Sequence, residues 1–561
     1  MIRRTTVVLV ALALVGGACA APPRVAEPAV AALFSAHEPT TAVVGAAAAP
    51  APRPNVTVIE TDDMRTDDLR FMPRTRALIG ERGLSFENSF APNPLCCPSR
   101  ASFLTGRFSH NHGVLTHEEP YAFASFDDRS TLATALRAAG YRTAMLGKYL
   151  NGYGQQRLRR PAALAGTSSL RYVPPGWTHW AAGSTGTYNY FQMSQNVNGR
   201  IVRSPGRYST DLLGEQTRAL TDRWRTGKPW FVWWNPVAPH HGAPGEPDDP
   251  RPTRRADGST YRWVTPARPG WVKGRFDAVI RSGAGVPSSG SPEADMRDKP
   301  GYLQTSDLTS ADRAALTEVT RQRAEALYVL DVQVGRTLDR LRTTGQLART
   351  IVVFTSDNGY YLGEHRRRQG KINAHEPSLR VPLLIAGPGV PRGRRYDPAS
   401  TVDLAPTIAS YAGARLSRPD GVDLRGTIVG GDRGWDRPVL TEGRTEIPAH
   451  LRGRWEGDPP EVQRGGLNSR GLRLGRWKLT RYSTGERELY DLAADPLELV
   501  NLAGDPASAE VLDQLTALHR SYQSCAADAC RVPLPEAFVV SPERNRQVTQ
   551  AQAAAVGEYF R

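Results

Sequence analysis

Short apolar segments alternate with helical patterns over the first two thirds of the chain, and this alternation is the clearest structural signal. Strands are predicted at six apolar segments, which are residues 55–60, 84–90, 141–146, 229–235, 350–355 and 381–386. Helical spacing covers 99–105, 131–139 and 310–342, the last with Leu327, Leu330, Val334, Leu338 and Leu341 on one face. Strands that alternate with helices predict a mainly parallel sheet covered by helices on both faces.

The pattern changes after about residue 437. Four short strand patterns joined by turn residues predict a small antiparallel sheet from segments 439–442, 471–474, 477–480 and 488–491. A helix is predicted near 508–522. The earlier segment 242–305 is dense in Pro, Gly, Asp and Arg, and we expect it to be a long insertion loop near the substrate.

The N-terminus has the layout of a secretory leader. Arg3 and Arg4 precede an apolar stretch over 7–15 and the small residues 16–18. Cleavage around Cys19 would give a secreted protein, whereas lipidation of Cys19 would leave a lipid anchor, and both remain open. The apolar stretch is too short for a retained membrane span. We therefore expect an exported protein, either secreted or a cell-surface lipoprotein.

Composition and charge narrow the partners only slightly. The chain has 561 residues, of which 40% are hydrophobic, which is enough for one large domain and a smaller one. Its formal net charge of +15 favours anionic partners such as acidic polysaccharide, anionic lipid or nucleic acid. No run of interleaved basic and aromatic residues resembles a nucleic-acid motif, so no nucleic acid is expected as a partner.

Cysteine positions point to two different roles. Cys525 and Cys530 are separated by four residues in a chain expected to be exported, which predicts a local disulfide. Adjacent cysteines such as Cys96 and Cys97 rarely satisfy disulfide geometry. This second pair therefore requires another explanation.

That explanation lies in the segment CCPSRASFLTGR at residues 96–107. It resembles the signature of the type I sulfatases, in which C-x-P-S-R followed by L-T-G-R marks a cysteine that is oxidised to formylglycine. Cys96 holds the position of that cysteine, and Cys97 fills the variable position. The alternative is a pair of free thiols at a helix N-terminus, with Pro98 and Ser99 as capping residues.

The resemblance implies that a formylglycine-generating enzyme matures Cys96. One hydroxyl of the hydrated aldehyde would attack sulfur to form a covalent sulfate ester, and the second hydroxyl would then expel sulfate. A serine could perform the first step but lacks the second hydroxyl. The start of a helix also suits an anionic group, because backbone N–H groups point towards it.

Two acidic pairs follow apolar strands. Asp62 and Asp63 come after segment 55–60, and Asp357 and Asn358 come after 350–355. Ligands collect at the carboxyl ends of strands in open α/β sheets, and three carboxylates with one amide oxygen suit Ca²⁺. Either pair alone is equally typical of a turn or an N-cap. Both pairs match sulfatase positions, so the resemblance implies a Ca²⁺ site that also includes the group made from Cys96.

Four cationic or imidazole side chains occupy motif positions of the same family. The resemblance implies that Arg100, within the signature, supports the hydrated aldehyde or the metal, and that Lys148, His240 and Lys371 bind sulfate. We expect His240 and Lys371 also to protonate the leaving alcohol, and Asp357 to deprotonate the nucleophile.

One position departs from the usual pattern. Many sulfatases carry a His two residues after the lysine that corresponds to Lys148, and this chain has Leu150 there. Asn151 or another group would then replace it. The segments CCPSRAS and GKYLN, together with His110 and His112, resemble the N-acetylglucosamine-6-sulfatase branch, which also tends to lack that His. Those two histidines are equally plausible as site residues and as packing residues.

The sequence therefore predicts an alkaline-phosphatase-like α/β fold with a small C-terminal antiparallel sheet. Its predicted parts are a signal peptide (1–20), an Ala/Pro-rich linker (21–53), a catalytic domain (54–436) and a C-terminal subdomain with tail (437–561). The expected function is hydrolysis of sulfate esters, plausibly those of sulfated sugars. The alternatives are a phosphodiester or phosphonate monoester hydrolase of the same superfamily and a non-catalytic protein that binds sulfated glycans.

Overall fold

A computed structural model describes residues 53–287, 293–451 and 467–560. The predicted signal peptide and all but the last residue of the predicted linker lie outside these ranges. Across the described ranges, no helix combines the length and the apolar character needed to cross a membrane.

Eighteen strands form one large sheet and three smaller ones within the described ranges. The strands are β1 (Asn55–Thr61), β2 (Leu84–Phe86), β3 (Ser89–Phe90), β4 (Arg142–Gly147), β5 (His179–Gly183), β6 (Ser194–Val197), β7 (Arg200–Arg203), β8 (Trp230–Asn235), β9 (Thr253–Arg254), β10 (Thr260–Tyr261), β11 (Thr350–Ser356), β12 (Leu383–Ala386), β13 (Gly393–Arg395), β14 (Ala399–Ser400), β15 (Val439–Gly443), β16 (Ser469–Leu474), β17 (Trp477–Tyr482) and β18 (Arg487–Asp491).

The α-helices vary widely in length. They are α1 (Pro73–Thr75), α2 (Cys96–Thr105), α3 (Ser109–His112), α4 (Leu132–Ala138), α5 (Ser209–Arg223), α6 (Ser310–Thr343), α7 (Glu376–Leu379), α8 (Leu404–Ala412), α9 (Arg425–Gly430), α10 (Ala509–Tyr522) and α11 (Pro542–Tyr559).

The large sheet has ten strands in the order β13-β2-β12-β11-β1-β8-β4-β5-β6-β7. Its five central strands, β11 to β5 in that order, all run parallel. The antiparallel pairs of this sheet lie outside the central strands. Strand β12 is antiparallel to β11 and β2 on one side, and β6 is antiparallel to β5 and β7 on the other. The predicted mainly parallel sheet is therefore confirmed, and its central strands carry their carboxyl ends on one edge.

Side chains alternate between the two faces of the sheet, and each face has its own core. Val58 and Trp233 belong to one cluster, together with residues of α2, α4 and α8. Ile59 and Trp234, their neighbours in sequence, belong to the other cluster with residues of α5 and α6. Because helices cover both faces of the sheet, the central strands have sequences that are almost continuously apolar.

The C-terminal sheet has four antiparallel strands in the order β15-β16-β17-β18, as predicted. Helix α10 packs on it, and the predicted disulfide between Cys525 and Cys530 closes the segment after that helix. Helix α11 was not predicted, because its buried residues include only one large apolar side chain, Val548. The domain boundary at 436/437 stays a prediction.

Segment 84–90 differs from its predicted single strand, and segment 242–305 agrees with its predicted loop in part. Segment 84–90 forms two strands of different sheets, because the Glu87 amide bonds to the Arg395 carbonyl and the Asn88 side chain bonds to the Tyr396 carbonyl at the break. The described part of 242–305 contains only the short β9–β10 hairpin as sheet, and residues at 242–249 and 263–265 contribute to the wall of the cavity described below. The expectation of a loop near the substrate cavity therefore holds for the first part of this segment.

Candidate active site

The two acidic pairs meet at the carboxyl edge of the large sheet. Strands β1 and β11 are parallel neighbours, and their last residues, Thr61 and Ser356, are paired in register. The Asp63 amide donates to Asp357 Oδ1 at 3.1 Å, and Asn358 Nδ2 donates to Asp63 Oδ1 at 2.7 Å. All four acidic and amide side chains predicted as ligands are thus in one buried cluster.

Cys96 begins helix α2 and faces this cluster. Single ligand atoms of Asp62, Cys96 and Asp357 lie within 4.8 Å of one another, and those of Asp62, Asp63 and His240 form a second such group. Asp63 adopts a φ of 66°, in the left-handed region that non-glycine residues seldom occupy. Strain of this kind is concentrated at functional sites, since surrounding contacts must hold it in place.

Arg100 lies one turn into the same helix and is fully buried. Its Nε donates to Asp357 Oδ2 at 2.7 Å, and one terminal nitrogen donates to Asn235 Oδ1 at 2.9 Å and to the Lys148 carbonyl at 3.1 Å. The guanidinium therefore joins α2 to the ends of three strands. Asn235 was not predicted as a site residue, although it ends the apolar strand β8 at this edge.

Two lysines neutralise the aspartates. Lys148 Nζ lies 2.7 Å from Asp62 Oδ2, and Lys371 Nζ bonds to Asp63 Oδ1 and lies 3.2 Å from Cys96 Sγ. Gly147 brings the first lysine into place with a φ of 100°, and a Cβ there would sit 2.0 Å from the Asn235 carbonyl oxygen. Glycine is therefore required before Lys148.

His240 lies at the other side of Asp63, with its Nε2 3.7 Å from Asp63 Oδ2. Its Nδ1 is 2.7 Å from the His241 carbonyl oxygen, an acceptor, so Nδ1 carries the proton of the neutral ring. Burial lowers the pKa of His240 to about 3, despite the opposing charge of Asp63. The ring is therefore neutral at neutral pH and presents an unprotonated Nε2 to the site.

Burial and the surrounding cations act in opposite directions on the aspartates. Burial disfavours ionisation of Asp63, but the charges on Lys371 and Lys148 outweigh it and lower its pKa. Burial dominates at Asp357 and raises its pKa, although Arg100 opposes the change. Asp357 is therefore the more basic of these two carboxylates.

The donor set fits a calcium ion. Asp62 Oδ1 and Asp63 Oδ2 are buried and accept no hydrogen bond from any described residue, which is costly for carboxylate oxygens. Together with Asp357 and the Asn358 amide oxygen they form a set of hard oxygen ligands, which Ca²⁺ prefers. These four residues could hold the ion, and the group at Cys96 faces the same point.

Tyr188 was missed by the sequence analysis. Its ring stacks on His240 with centroids 4.5 Å apart, and Lys148 Nζ lies 5.3 Å from the ring centre. Asn151 Nδ2 donates to the Tyr188 hydroxyl at 2.9 Å. Leu150, which stands where many sulfatases have a His, packs into the core of the sheet. Asn151 and Tyr188 thus occupy the cavity wall next to that position.

The paired histidines after the signature have packing roles. His110 Nδ1 lies 2.5 Å from Glu442 Oε1, and its Nε2 lies 2.8 Å from the Cys525 carbonyl oxygen. His112 Nε2 lies 3.0 Å from Ser102 Oγ. The two residues join α3 to the C-terminal sheet and to α2, and neither lines the cavity described next.

A cavity of about 1040 Å³ opens above the cluster. Cys96, Lys148, His240 and Lys371 all reach its floor, so the predicted nucleophile and sulfate-binding groups share one space. Its walls carry mostly uncharged polar and aromatic groups, including His117, Asn151, Gln155, Tyr188, Asn189, Trp263 and Thr265. The volume is at the upper end for small-ligand pockets, so a ligand larger than sulfate can enter.

Comparisons with known proteins agree with this geometry. The Sulfatase family model matches residues 54–414. An arylsulfatase of Volvox carteri is 32% identical over 519 residues, covering 87% of this chain and 77% of the relative. The N-acetylglucosamine-6-sulfatase of Homo sapiens is 29% identical over 517 residues, covering 86% of each chain.

A solved protein in complex with its substrate D-glucosamine-2-N,6-O-disulfate has a TM-score of 0.60, with 22% identity over 85% of this chain and 98% of its own. This structural likeness confirms the predicted fold class. Since the family model matches well over half of the chain and the Volvox relative is 32% identical, the chain belongs to the sulfatase family and is a sulfuric ester hydrolase.

Proposed function

We propose that this sulfatase is exported and that it hydrolyses sulfate esters of N-acetylglucosamine-6-sulfate-like sugars, with a formylglycine made from Cys96 and one Ca²⁺ ion. The observation that carries the proposal is the position of Cys96. Its Sγ lies at the start of a buried helix, within 4.8 Å of ligand atoms of Asp62 and Asp357 and 3.2 Å from Lys371 Nζ. Cys96 is thus the one thiol of the described residues that lies beside the oxygen cluster and also lines the cavity.

Asp62, Asp63, Asp357 and Asn358 would hold the ion, together with the group at Cys96. When present, a formylglycine at Cys96 would provide a hydrated aldehyde as the nucleophile, and a calcium ion held by these residues would provide Lewis-acid chemistry. Arg100 would keep Asp357 in place through its 2.7 Å bond. The raised pKa of Asp357 suits it to accept the proton of the nucleophile.

Lys148 and Lys371 would bind the sulfate group, since both ammonium groups reach the cavity floor. Burial lowers their pKa values less than the neighbouring aspartates raise them, so both lysines stay charged. Lys371 carries protons that it could give to the leaving oxygen, whereas the neutral His240 ring presents an unprotonated Nε2. His240 would donate from Nε2 only after the bound anion has raised its pKa.

The substrate class is inferred from the cavity and from the relatives. The rim of the cavity carries hydroxyl, amide and aromatic groups, which suit an uncharged sugar bearing one sulfate. The human relative is named for N-acetylglucosamine-6-sulfate. Export rests on the leader-like N-terminus, and the choice between secretion and a lipid anchor at Cys19 stays open.

Peptide mass spectrometry of protein from a host with a formylglycine-generating enzyme tests the nucleophile. Conversion replaces sulfur by oxygen and removes two hydrogens, and we expect it at Cys96 and not at Cys97. Cys97→Ala is the matched control, because Cys97 is buried beside it and points away to the Asn151 carbonyl oxygen at 3.7 Å. Cys96→Ala should abolish hydrolysis, and Cys97→Ala should retain it. Full activity of protein with an intact Cys96 thiol contradicts the proposal.

Paired substrates test the reaction class. N-acetylglucosamine-6-sulfate and an aryl sulfate should be hydrolysed much faster than a matched aryl phosphonate monoester. Preference for the phosphonate would instead identify the alternative hydrolase of the same superfamily. Calcium content measured on the purified protein, with Asp62→Asn as the control variant, tests the metal independently of turnover.

A further inference from the structure

A group of aromatic and arginine side chains lies at the surface on helices α1 and α6 and on the segment that follows the cavity wall. Trp271 is 58% exposed and is the one aromatic side chain among the exposed large hydrophobic residues of the described ranges. Arg275 lies with its guanidinium carbon 3.8 Å from the ring centre of Tyr328, and Arg74 approaches the same ring at 5.6 Å. We call Arg74, Trp271, Arg275 and Tyr328 the aromatic–arginine patch.

The patch is rigidly supported from below. Phe276 packs against Phe71 with ring centroids 5.0 Å apart and against Tyr328 at 6.1 Å. Val272, next to Trp271, is fully buried in the core on that face of the sheet. The segment is thus anchored by its other aromatic and aliphatic groups, while the tryptophan remains outside the core. Trp271 meets the edge of the Tyr328 ring at 6.3 Å between centroids, and more than half of its surface stays exposed to solvent.

Both arginines of the patch are exposed and lie over the Tyr328 ring, a position from which a guanidinium group can bind an oxyanion. A guanidinium stacked on a ring keeps its N–H edge free and loses little entropy on binding, and its planar fork suits tetrahedral oxyanions. Arg275 has no carboxylate within ion-pair distance among the residues with described positions. Arg74 is 45% exposed and only 3.5 Å from the buried Asp331. One arginine is thus unpaired and another is half-open to solvent.

The patch is also close to the cavity. Thr265 lines the cavity wall, and Trp271 follows six residues later, so the two are at most about 20 Å apart. Between them Arg268 is buried and pairs with Glu246 and Glu325 at 2.7 and 2.8 Å, which fixes the course of the chain. The segment that carries Trp271 and Arg275 therefore continues directly from a wall of the cavity.

We infer that the aromatic–arginine patch is a second binding site for a sulfated polysaccharide, distinct from the catalytic cavity. The exposed indole face would stack on the C–H face of a sugar ring, and Arg275 and Arg74 would bind its sulfates. The net charge of +15 favours such a polyanion over a neutral partner. The inference rests on the proposed function for its choice of a sulfated sugar polymer.

Binding is measured on the full chain with Cys96→Ala, so that hydrolysis cannot alter the ligand. The probe is heparin at physiological salt, with fully desulfated heparin for comparison. We expect Trp271→Ala and Arg275→Ala each to weaken heparin binding about fivefold or more, and the desulfated polymer to bind poorly. Arg203→Ala is the matched control, because Arg203 is an exposed arginine at the far edge strand of the large sheet, and it should change binding less than about twofold.

Several results would overturn the inference. An equal loss in Arg203→Ala and Arg275→Ala would show binding to diffuse charge alone. Unchanged binding in Trp271→Ala would remove the tryptophan from the site. A wild-type dimer that Trp271→Ala converts to a monomer, measured by light scattering, would make the patch a contact between copies of the chain.

Measuring KM for a long and a short substrate distinguishes failure of the second site from failure of the proposed function. In otherwise wild-type enzyme, Trp271→Ala and Arg275→Ala should raise KM for a sulfated oligosaccharide about fivefold and leave KM for N-acetylglucosamine-6-sulfate unchanged, because only the longer ligand reaches both sites. An equal rise for both ligands contradicts a second site. Absence of hydrolysis in every variant and in wild type refutes the proposed function, while the heparin result still decides the patch.

Discussion

The contacts of His110 lead to a quantitative prediction about stability. Its two ring nitrogens face two acceptors, since Nδ1 is 2.5 Å from Glu442 Oε1 and Nε2 is 2.8 Å from the Cys525 carbonyl oxygen. A neutral imidazole has a single N–H and can satisfy only one of them. Burial opposes the charge, but Glu442 outweighs burial and raises the pKa of His110. The ring is therefore mostly protonated in the folded protein at pH 6, below its ordinary pKa of 6.5.

His110→Ala removes both contacts and leaves Glu442 buried. Breaking a buried ion pair costs about 3–5 kcal/mol, and the lower end applies because Arg470 also favours the Glu442 carboxylate. The lost hydrogen bond to Cys525 adds about 1 kcal/mol. We expect a loss of about 4 kcal/mol in the free energy of unfolding near pH 6, measured by urea denaturation.

The loss should depend on pH with a definite sign. The pKa of His110 is higher in the folded protein than its ordinary value of 6.5, so its protonation stabilises the fold. This stabilisation is complete below pH 6.5 and is lost as the pH rises through the pKa that His110 has in the folded protein. The pKa of Glu442 is lowered to about 2, so its contribution is present above its ordinary value of 4.5 and is lost as pH falls through about 2. The difference between wild type and His110→Ala should therefore be largest between about pH 4.5 and 6.5 and smaller at pH 9.

His179→Ala is the control, because His179 is partly buried and makes one long contact, 3.4 Å from Asn198. It should cost less than about 1 kcal/mol and should not reproduce the pH dependence. A double-mutant cycle of His110→Ala with Glu442→Gln isolates the pair. The reasoning is refuted by an equal loss at pH 6 and pH 9, or by a coupling energy near zero.

Three further predictions concern the disulfide, Tyr188 and the metal. Replacing Cys525 and Cys530 by serine opens a six-residue loop and should lower unfolding stability by about 2 kcal/mol, a loss that reductant reproduces in wild type but not in the variant. Tyr188→Phe should lower kcat/KM about fivefold and leave the melting temperature unchanged, because Asn151 donates to the Tyr188 hydroxyl and leaves its proton free for substrate. The control is Tyr153→Phe, which should lower stability instead, because the Tyr153 hydroxyl accepts a hydrogen bond from Trp180 inside the core. Chelation should abolish hydrolysis and lower the melting temperature in wild type, and excess Ca²⁺ should restore both.

Most of the sheet could be predicted from the sequence, because its central strands are buried on both faces and leave long apolar runs. Strand β8 is one such run, and all six of its residues are buried. Strands β6 and β7 left no comparable signal, since they lie at the outer edge and β7 is mostly exposed. Helix α11 was not predicted because its buried face carries polar side chains such as Asn545 and Gln552 and therefore has no apolar periodicity.

The site could be predicted where residues follow strands or stand in a motif, and not where a loop returns to it. Asp62 and Asp357 end adjacent parallel strands, so their meeting follows from the topology. Tyr188 lies in the connection between β5 and β6, and only the folded chain places its ring 4.5 Å from His240. The two roles left open for His110 are also decided by tertiary contact, since its partners are 332 and 415 residues away in sequence.

The charges of the site explain why its cations are held so tightly. Asp62, Asp63 and Asp357 contribute three negative charges, and Arg100, Lys148 and Lys371 contribute three positive charges, while His240 is neutral because burial lowers its pKa to about 3. These six side chains balance one another in charge, and the nearby buried Glu60, whose pKa burial raises to about 7, adds at most a further negative charge. A divalent cation would leave two surplus positive charges in a buried space, where only an anion can offset them. A monoanionic sulfate ester would offset one of these charges, and Lys148 and Lys371, which line the same cavity, would contact its oxygens. If the proposed function holds, the same ammonium groups stabilise the aspartate cluster and contribute to anion binding.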